Sequence, residues 1–285
     1  MILSVTFMLS VATADLLQGS KDAPTTKEAF ADKNLEAAVR EGVFSKRGTN
    51  KPLTAEDLRS VSQIHGKGKG IRDLRGLECC TALATLDLTG NAITDLAPLA
   101  GLRNLEGLFL AKNQISELKP IAGLVGLQYL DLDDNQIVDL KALSGLSQLN
   151  TLCLSNNKIS DPDALSGLGH LWTLTLGGNC INTVSSLKEL TQLCILSLKG
   201  NRISELSSLT GLKDLRFLFL ENNRVQDLTV LVDMAKKDSQ GEQRFAPYWK
   251  IYLSGNPLNE AAQTSQADEL RKRGATVTLG EKAKP

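Results

Sequence analysis

The sequence predicts a repeat solenoid of the α/β class. The expected shape is an arc of stacked coils with a parallel sheet on its concave side. Short 3₁₀ and extended segments form the convex side, and a helical cap covers the N-terminus. Three observations carry this expectation. Asparagine returns every 22 residues over seven consecutive coils, at Asn91, Asn113, Asn135, Asn157, Asn179, Asn201 and Asn223, without insertion or deletion. Each closes the same phrase, L-x-x-L-x-L-x-x-N-x-[IV], from Leu83, Leu86, Leu88, Asn91 and Ile93 to Leu215, Leu218, Leu220, Asn223 and Val225. The return half is equally regular, as in Ile115, Leu118, Ile121 and Leu124 with Pro120 and Gly123 at turn positions. A fixed period of roughly 20 to 50 residues is the mark of a solenoid.

Within each coil, L-x-L alternates apolar and polar with period two, so it reads as a short strand with one buried face. Leu86 and Leu88 point inward, and Thr85, Asp87 and Thr89 point outward. Every strand is approached from the same direction, so the stack is a parallel sheet. Only about ten residues return the chain to the next strand, which suits single 3₁₀ turns better than a long helix. The asparagine has a structural role. The turn out of each strand strands backbone groups inside the coil, where they must be paired. An amide offers both a donor and an acceptor, so a column of amides bridges one coil to the next. Asn256 continues that ladder.

Along the chain, residues 1–14 (MILSVTFMLSVATA) read as a short secretory signal ending in Ala12-Thr13-Ala14. Residues 15–29 read as a flexible lead-in. Residues 30–60 make the cap, with an amphipathic helix over Asn34–Phe44 and a second short helix opened by a capping box at Thr54-Ala-Glu-Asp57. Polar caps are expected wherever a solenoid would otherwise expose its core. The repeats run from 61 to 258. The first coil is degenerate (Val61, Ile64, Ile71, Leu74, Leu77), with Lys69 in the asparagine slot. Asn256 follows Asn223 by 33 residues, so 11 are inserted, within 228–247. There Val230–Lys237 reads as a helical turn or two and Asp238-Ser-Gln-Gly241 as a loop. Residues 259–285 form a C-terminal cap and tail, with a helix over Glu260–Lys272, a strand or extended segment at Thr276–Leu279 and disorder from 280 onward.

Composition excludes several function classes. The chain has 285 residues, 42% apolar, with 32 basic and 32 acidic residues and no net charge. That leaves no basic stripe for nucleic acid and no acidic tail. No apolar run reaches the roughly 18 to 20 residues that a spanning helix needs. His65 and His170 are too few for a typical zinc site or triad. The five cysteines match no zinc spacing. Cys80 falls in a core slot, Cys153 faces outward, Cys180 is expected to be exposed, and Cys194 lies at the start of a strand. No disulfide framework, metal site or cofactor is expected.

The register places the outward residues in columns. The central column is His65, Asp87, Phe109, Asp131, Cys153, Thr175, Ser197, Phe219 and Tyr252. Tyr129, Ile195, Phe217 and Lys250 lie in one flank, and Asp133, Lys199, Glu221 and Ser254 in the other. The candidate partner-binding residues are Phe109, Tyr129, Asp131 and Asp133 toward the N-terminal half, and Ile195, Phe217, Phe219 and Tyr252 toward the C-terminal end. Exposed aromatics on a sheet face are candidate hot spots. Equally, Phe217 and Phe219 fit beneath the insertion or against neighbouring strands. For Asp131, Asp133 and Asp134, a solvated acidic patch is favoured over a calcium site, because no EF-hand loop or nonapeptide calcium repeat is present. Catalysis is not expected. Cys153 and His65 stand four strands apart, about 19 Å, whereas a nucleophile and its base must touch. Gly66-Lys-Gly-Lys-Gly70 is no phosphate-binding loop.

The phrase N-x-I-x-D-L-x-x-L-x-G-L-x-x-L at Asn91–Leu105 resembles the 22-residue leucine-rich repeats of bacterial internalins. It is similar also to the repeats of protein phosphatase 1 regulatory subunits. F-x-D-x-N-L-E-A-A-V-R (Phe30–Arg40), T-A-E-D-L (Thr54–Leu58), G-K-G-I-x-D-L (Gly68–Leu74) and L-x-G-N-P-L (Leu253–Leu258) resemble the cap, first coil and closing coil of the bacterial proteins. The stretch after the repeats does not resemble the immunoglobulin-like or wall-anchoring parts of adhesive internalins. The resemblance therefore implies a generic, non-enzymatic interaction scaffold that binds another protein on its concave face. It is expected to be monomeric, and secreted or periplasmic if the N-terminal signal operates. The alternative it implies is an intracellular regulatory subunit that docks an enzyme such as a phosphatase.

Overall fold

A computed structural model describes residues 30–280. The proposed signal, the lead-in and the last residues of the tail lie outside that range. Ten three-residue strands form one open parallel sheet in sequence order. They are β1 (Gln63–His65), β2 (Thr85–Asp87), β3 (Gly107–Phe109), β4 (Tyr129–Asp131), β5 (Thr151–Cys153), β6 (Thr173–Thr175), β7 (Ile195–Ser197), β8 (Phe217–Phe219), β9 (Lys250–Tyr252) and β10 (Thr276–Thr278). From β2 to β8 each residue pairs with the one 22 positions on, for example Leu130 with Leu152 and Asp131 with Cys153. At the insertion the step becomes 33, with Phe217 opposite Lys250.

The central leucine of every strand from Leu86 to Leu218 is fully buried, and so is Ile251. The convex side is a row of 3₁₀ turns, such as Ala97–Leu99 and Lys119–Ile121. Their inward residues, Leu99 and Ile121, belong to the same continuous core. A Pro near the start of each of these two turns suits a position whose N–H lacks an intrahelical partner.

The amides sit inside the coil. Asn113, Asn135, Asn157, Asn179, Asn201 and Asn223 are buried, while Asn91 and Asn256 at the two ends are half-buried. Asn157 shows the pattern. Its Nδ2 donates to the carbonyls of Leu132 at 3.0 Å and Leu154 at 3.1 Å, and its Oδ1 accepts from Ile137 N–H at 3.0 Å. Each asparagine thus ties its own turn to the coil before it. The residue just before the ladder is left-handed in coil after coil: Gly90, Lys112, Asp134, Asn156, Gly178, Gly200, Asn222 and Gly255 all have positive φ. Gly, Asn and Asp tolerate that geometry best, and Lys112 is the exception.

Helix α1 (Lys33–Gly42) caps the first coil and buries Leu35, Ala38 and Val39. Asp32 closes its N-terminus with bonds from Asn34 and Leu35 N–H. The same carboxylate accepts from Arg72 N–H at 2.7 Å, which fastens the cap to the first coil. Burial pushes the Asp32 carboxyl up, but these backbone donors outweigh it and hold the pKa below the usual value. Helix α2 (Ala55–Ser60) opens with the reciprocal Thr54–Asp57 capping box.

The insertion departs from expectation. Helix α3 runs Thr229–Gln240, so it is longer than two turns, and Asp238, Ser239 and Gln240 are helical rather than loop. It packs on the 3₁₀ turn Ser207–Gly211, on Ala246–Tyr248 and on α4 (Ala267–Lys272). It therefore lies on the convex side and does not cover the concave aromatics. The C-terminal helical segment contains a π-helical stretch, Ala262–Gln266, before α4. Gln266 uses it to reach the start of α3, accepting from Leu228 N–H and donating to Asp227.

Candidate concave binding face

The pairing register places His65, Asp87, Phe109, Asp131, Cys153, Thr175, Ser197, Phe219, Tyr252 and Thr278 in one line across the concave face. Two aromatic pairs interrupt it. Phe109 stacks on Tyr129 with ring centroids 4.8 Å apart, and Phe219 stacks on Tyr252 at 4.7 Å with nearly parallel planes. Phe109 and Phe219 stand on β3 and β8, five strands apart, about 24 Å at ordinary strand spacing. Lys250 Nζ sits 5.3 Å from the Phe217 ring centre, a cation–π contact. Ile195 is half-buried beside Phe217, its partner across the β7–β8 ladder. The eight sequence-derived binding residues thus fall into two groups rather than one continuous patch. Of these, Tyr129 is the most open, at 37% exposure.

Between the Phe109–Tyr129 pair and the centre lies an acidic pocket. Asp131 Oδ1 accepts from Asp133 N–H at 3.1 Å, and Asp133 Oδ1 accepts from Ser155 N–H. Both carboxyls are pushed above the usual range, chiefly by burial, with the charges of neighbouring aspartates adding to it. Asp131, Asp133 and Asp134 are all half-buried, so the acidic patch is only partly solvated. Among the described residues, no Lys, Arg or His forms an ion pair with Asp87, Asp131, Asp133 or Asp134.

Asp131, Asp133 and Cys153 each bring one metal-ligating atom within 4.8 Å of the others. The thiol is a poor nucleophile as it stands. Burial first, then the two aspartates, push the Cys153 pKa up to about 11. The Tyr129 hydroxyl, bonded to that thiol, is pushed up to about 12, again mainly by burial. His65 is exposed on β1, far from Cys153 on β5, so no nucleophile–base pair exists between them.

The remaining cysteines are all free: Cys79 is exposed, Cys80 and Cys194 are buried and Cys180 is half-buried rather than fully exposed. The sequence reading passed over Trp172, which is 48% exposed just before β6, and Tyr248, whose ring lies 5.6 Å from the Arg216 guanidinium. Extending the same register one position upstream of the strands would have found Trp172. On the convex side, α3 and the Ser207–Gly211 turn border a cleft of about 430 Å³ that includes Met234 and Phe245. Among the described residues, no helix is long and apolar enough to cross a membrane.

Leucine-rich repeat family models match residues 81–137, 148–168 and 191–232. Internalin C2 of Listeria monocytogenes has a similar structure, with 27% identity and a TM-score of 0.67, over 88% of this chain and 95% of that one. The chain is an internalin-like leucine-rich repeat protein. Two further structures share the fold of these internalin-like repeats. A leucine-rich repeat protein of Leptospira interrogans is 24% identical with a TM-score of 0.70, over 78% of this chain and 56% of that one. The functional domain of Listeria InlJ, described as including a cysteine ladder, is 22% identical with a TM-score of 0.65, over 91% of this chain and 63% of that one. Here the five cysteines occupy five different positions of the 22-residue period, so they form no column. No curated protein matches the chain significantly.

Proposed function

We propose that this chain is a non-enzymatic scaffold that binds another protein on its concave face. The observation that supports it best is the open, unpartnered sheet surface carrying two stacked aromatic pairs five strands apart. The insertion leaves that surface free, because α3 packs on the convex side. Aromatic anchors on a rigid sheet lose little side-chain freedom on binding, which favours them as hot spots. The fully paired backbone holds their spacing constant. The non-enzymatic part rests on chemistry: the Cys153 thiol on this face is pushed up to about 11, and no histidine stands beside it.

The test is capture of partners from native extracts by wild-type protein and by Phe219→Asp, with identification by mass spectrometry. The Phe219 ring lies on the outward side of β8, so the charge disrupts the stack with Tyr252 but leaves the core intact. The variant is expected to lose the specific partner while its melting temperature falls by only a few degrees. Unchanged capture would remove the C-terminal half of this face from consideration.

A further inference from the structure

Charge on the concave face is unevenly divided. The outward positions of β2–β5 include Asp87 and Asp131, with Asp133 just after β4, but no Lys, Arg or His. The nearest basic residues are His65 and Lys67 on and after β1, and Lys112 in the turn after β3, and none of them pairs with these aspartates. The corresponding positions of β7–β9 include Lys199 and Lys250 against Glu221 alone. The whole chain is neutral, so this separation is local. Each half also carries one aromatic stack.

We infer that the concave face takes a protein segment that sets a basic side chain, best an arginine, between Asp131, Asp133 and the Tyr129 ring, and rests apolar residues on the Phe219–Tyr252 stack. This rests on the concave face being the docking surface, and it adds the partner's chemistry and direction. One oxygen of each carboxylate is occupied by a backbone N–H, which leaves the other, Oδ2, to accept. A guanidinium is a planar fork of donors that bridges two such oxygens and stacks on an aromatic ring. Tyr129 supplies the ring and is the most open aromatic residue within the ten strands. A half-buried pair of carboxylates with no internal counter-ion gains most from a cation that arrives with the partner. A metal fits the pocket less well. Calcium and magnesium take oxygen ligands, whereas the third ligand here is a thiol; zinc, which takes thiolates, is separated by the selection below. The two stacks span about 24 Å, which equals about 16 residues of helix or about 7 of extended chain. The reversed orientation would set the basic group against Lys250, so the segment lies in one polarity.

The probe is a phage-displayed library of random 16-residue peptides selected on the full chain in the presence of EDTA. Labelled winners are then titrated by fluorescence anisotropy against wild type, Asp131→Asn/Asp133→Asn and Phe219→Asp. Winners are expected to carry Arg or Lys toward one end. The double variant should weaken them about tenfold or more, and so should replacing the peptide's arginine by citrulline, which keeps the shape and removes the charge. Winners without basic enrichment that still fail on Phe219→Asp would overturn this inference and leave concave docking standing. Winners indifferent to both variants would overturn the docking face itself. If selection in EDTA yields no binders while a parallel selection in zinc does, and those binders are lost on Asp131→Asn/Asp133→Asn, the pocket is a metal site and the inference is wrong.

Discussion

A buried asparagine at the end of each strand satisfies three or four backbone groups that water cannot reach. Replacing Asn157 by Ala leaves the Ile137 N–H unpaired in the core and takes one of two amide donors from each of the Leu132 and Leu154 carbonyls, which keep Asn135 and Asn179. The expected cost is about 2–4 kcal/mol, read as a lower urea midpoint. Asn91 makes equivalent bonds from a half-buried position, where water replaces part of what is lost. Asn91→Ala should therefore cost clearly less, and equal costs would mean that burial is not what gives the ladder its value. Asp131 and Asp133 behave in the opposite sense. Their folded-state pKa values are raised above an unfolded value of about 3.9. The stability they contribute is full below that value and is lost as pH rises through the raised pKa values, because the folded state binds the extra protons. At neutral pH both are charged and repel each other. Asp131→Asn/Asp133→Asn should melt higher than wild type at about pH 7, with the gap closing near pH 4. A thermal-shift series across that range checks both the sign and the window.

At the scale of elements, what the chain order reveals depends on whether neighbours in sequence decide the outcome. The strand register, the 3₁₀ returns and the amide column follow from a strict period, since each coil repeats the same local interactions. The alignment of Phe109, Asp131 and Cys153 in one line needs only that period. The burial of the acidic pocket needs the pleat and the turn after β4, which no single coil encodes. The end of the insertion departs from its local composition for a related reason. Asp238-Ser-Gln-Gly241 has the composition of a turn, and an acid at a helix C-terminus opposes the helix dipole. In the fold, the Asp238 carboxylate accepts from the N–H groups of Arg244, Phe245 and Ala246, which secure the chain beyond α3. Those three bonds offset the unfavourable dipole and extend the helix past Lys237. Asp238→Ala should leave the three amides unpaired, cost about 2–4 kcal/mol, and speed hydrogen exchange at Phe245–Tyr248. Exchange at β4–β6 should stay unchanged. Slow exchange at Phe245–Tyr248 in the variant would show that α3 holds this segment by packing alone.

For the whole molecule, stability is a chain of nearest-neighbour contacts closed by two unlike ends. Each coil touches only the coils beside it, so an uncovered end exposes core directly. At the N-terminal end α1 buries Leu35, Ala38 and Val39 against the first coil, and Asp32 bonds across to Arg72 and Asp73. At the other end α3 and α4 pack against each other beside β10. Both ends therefore do the same work with different elements. Deleting residues 30–60 removes the first cap and leaves Ile64 and Ile71 facing solvent. The truncated chain should melt lower and associate as concentration rises, because an open sheet edge over an apolar core invites pairing. The loss should also be graded along the molecule. Amides of β1 and β2 should exchange much faster than in the intact chain, while those of β6–β8 should change little. Hydrogen exchange on the two proteins at matched concentration decides it. A uniform acceleration from β1 to β9 would mean that the coils unfold as one unit, and that the concave surface is held by the whole stack rather than coil by coil.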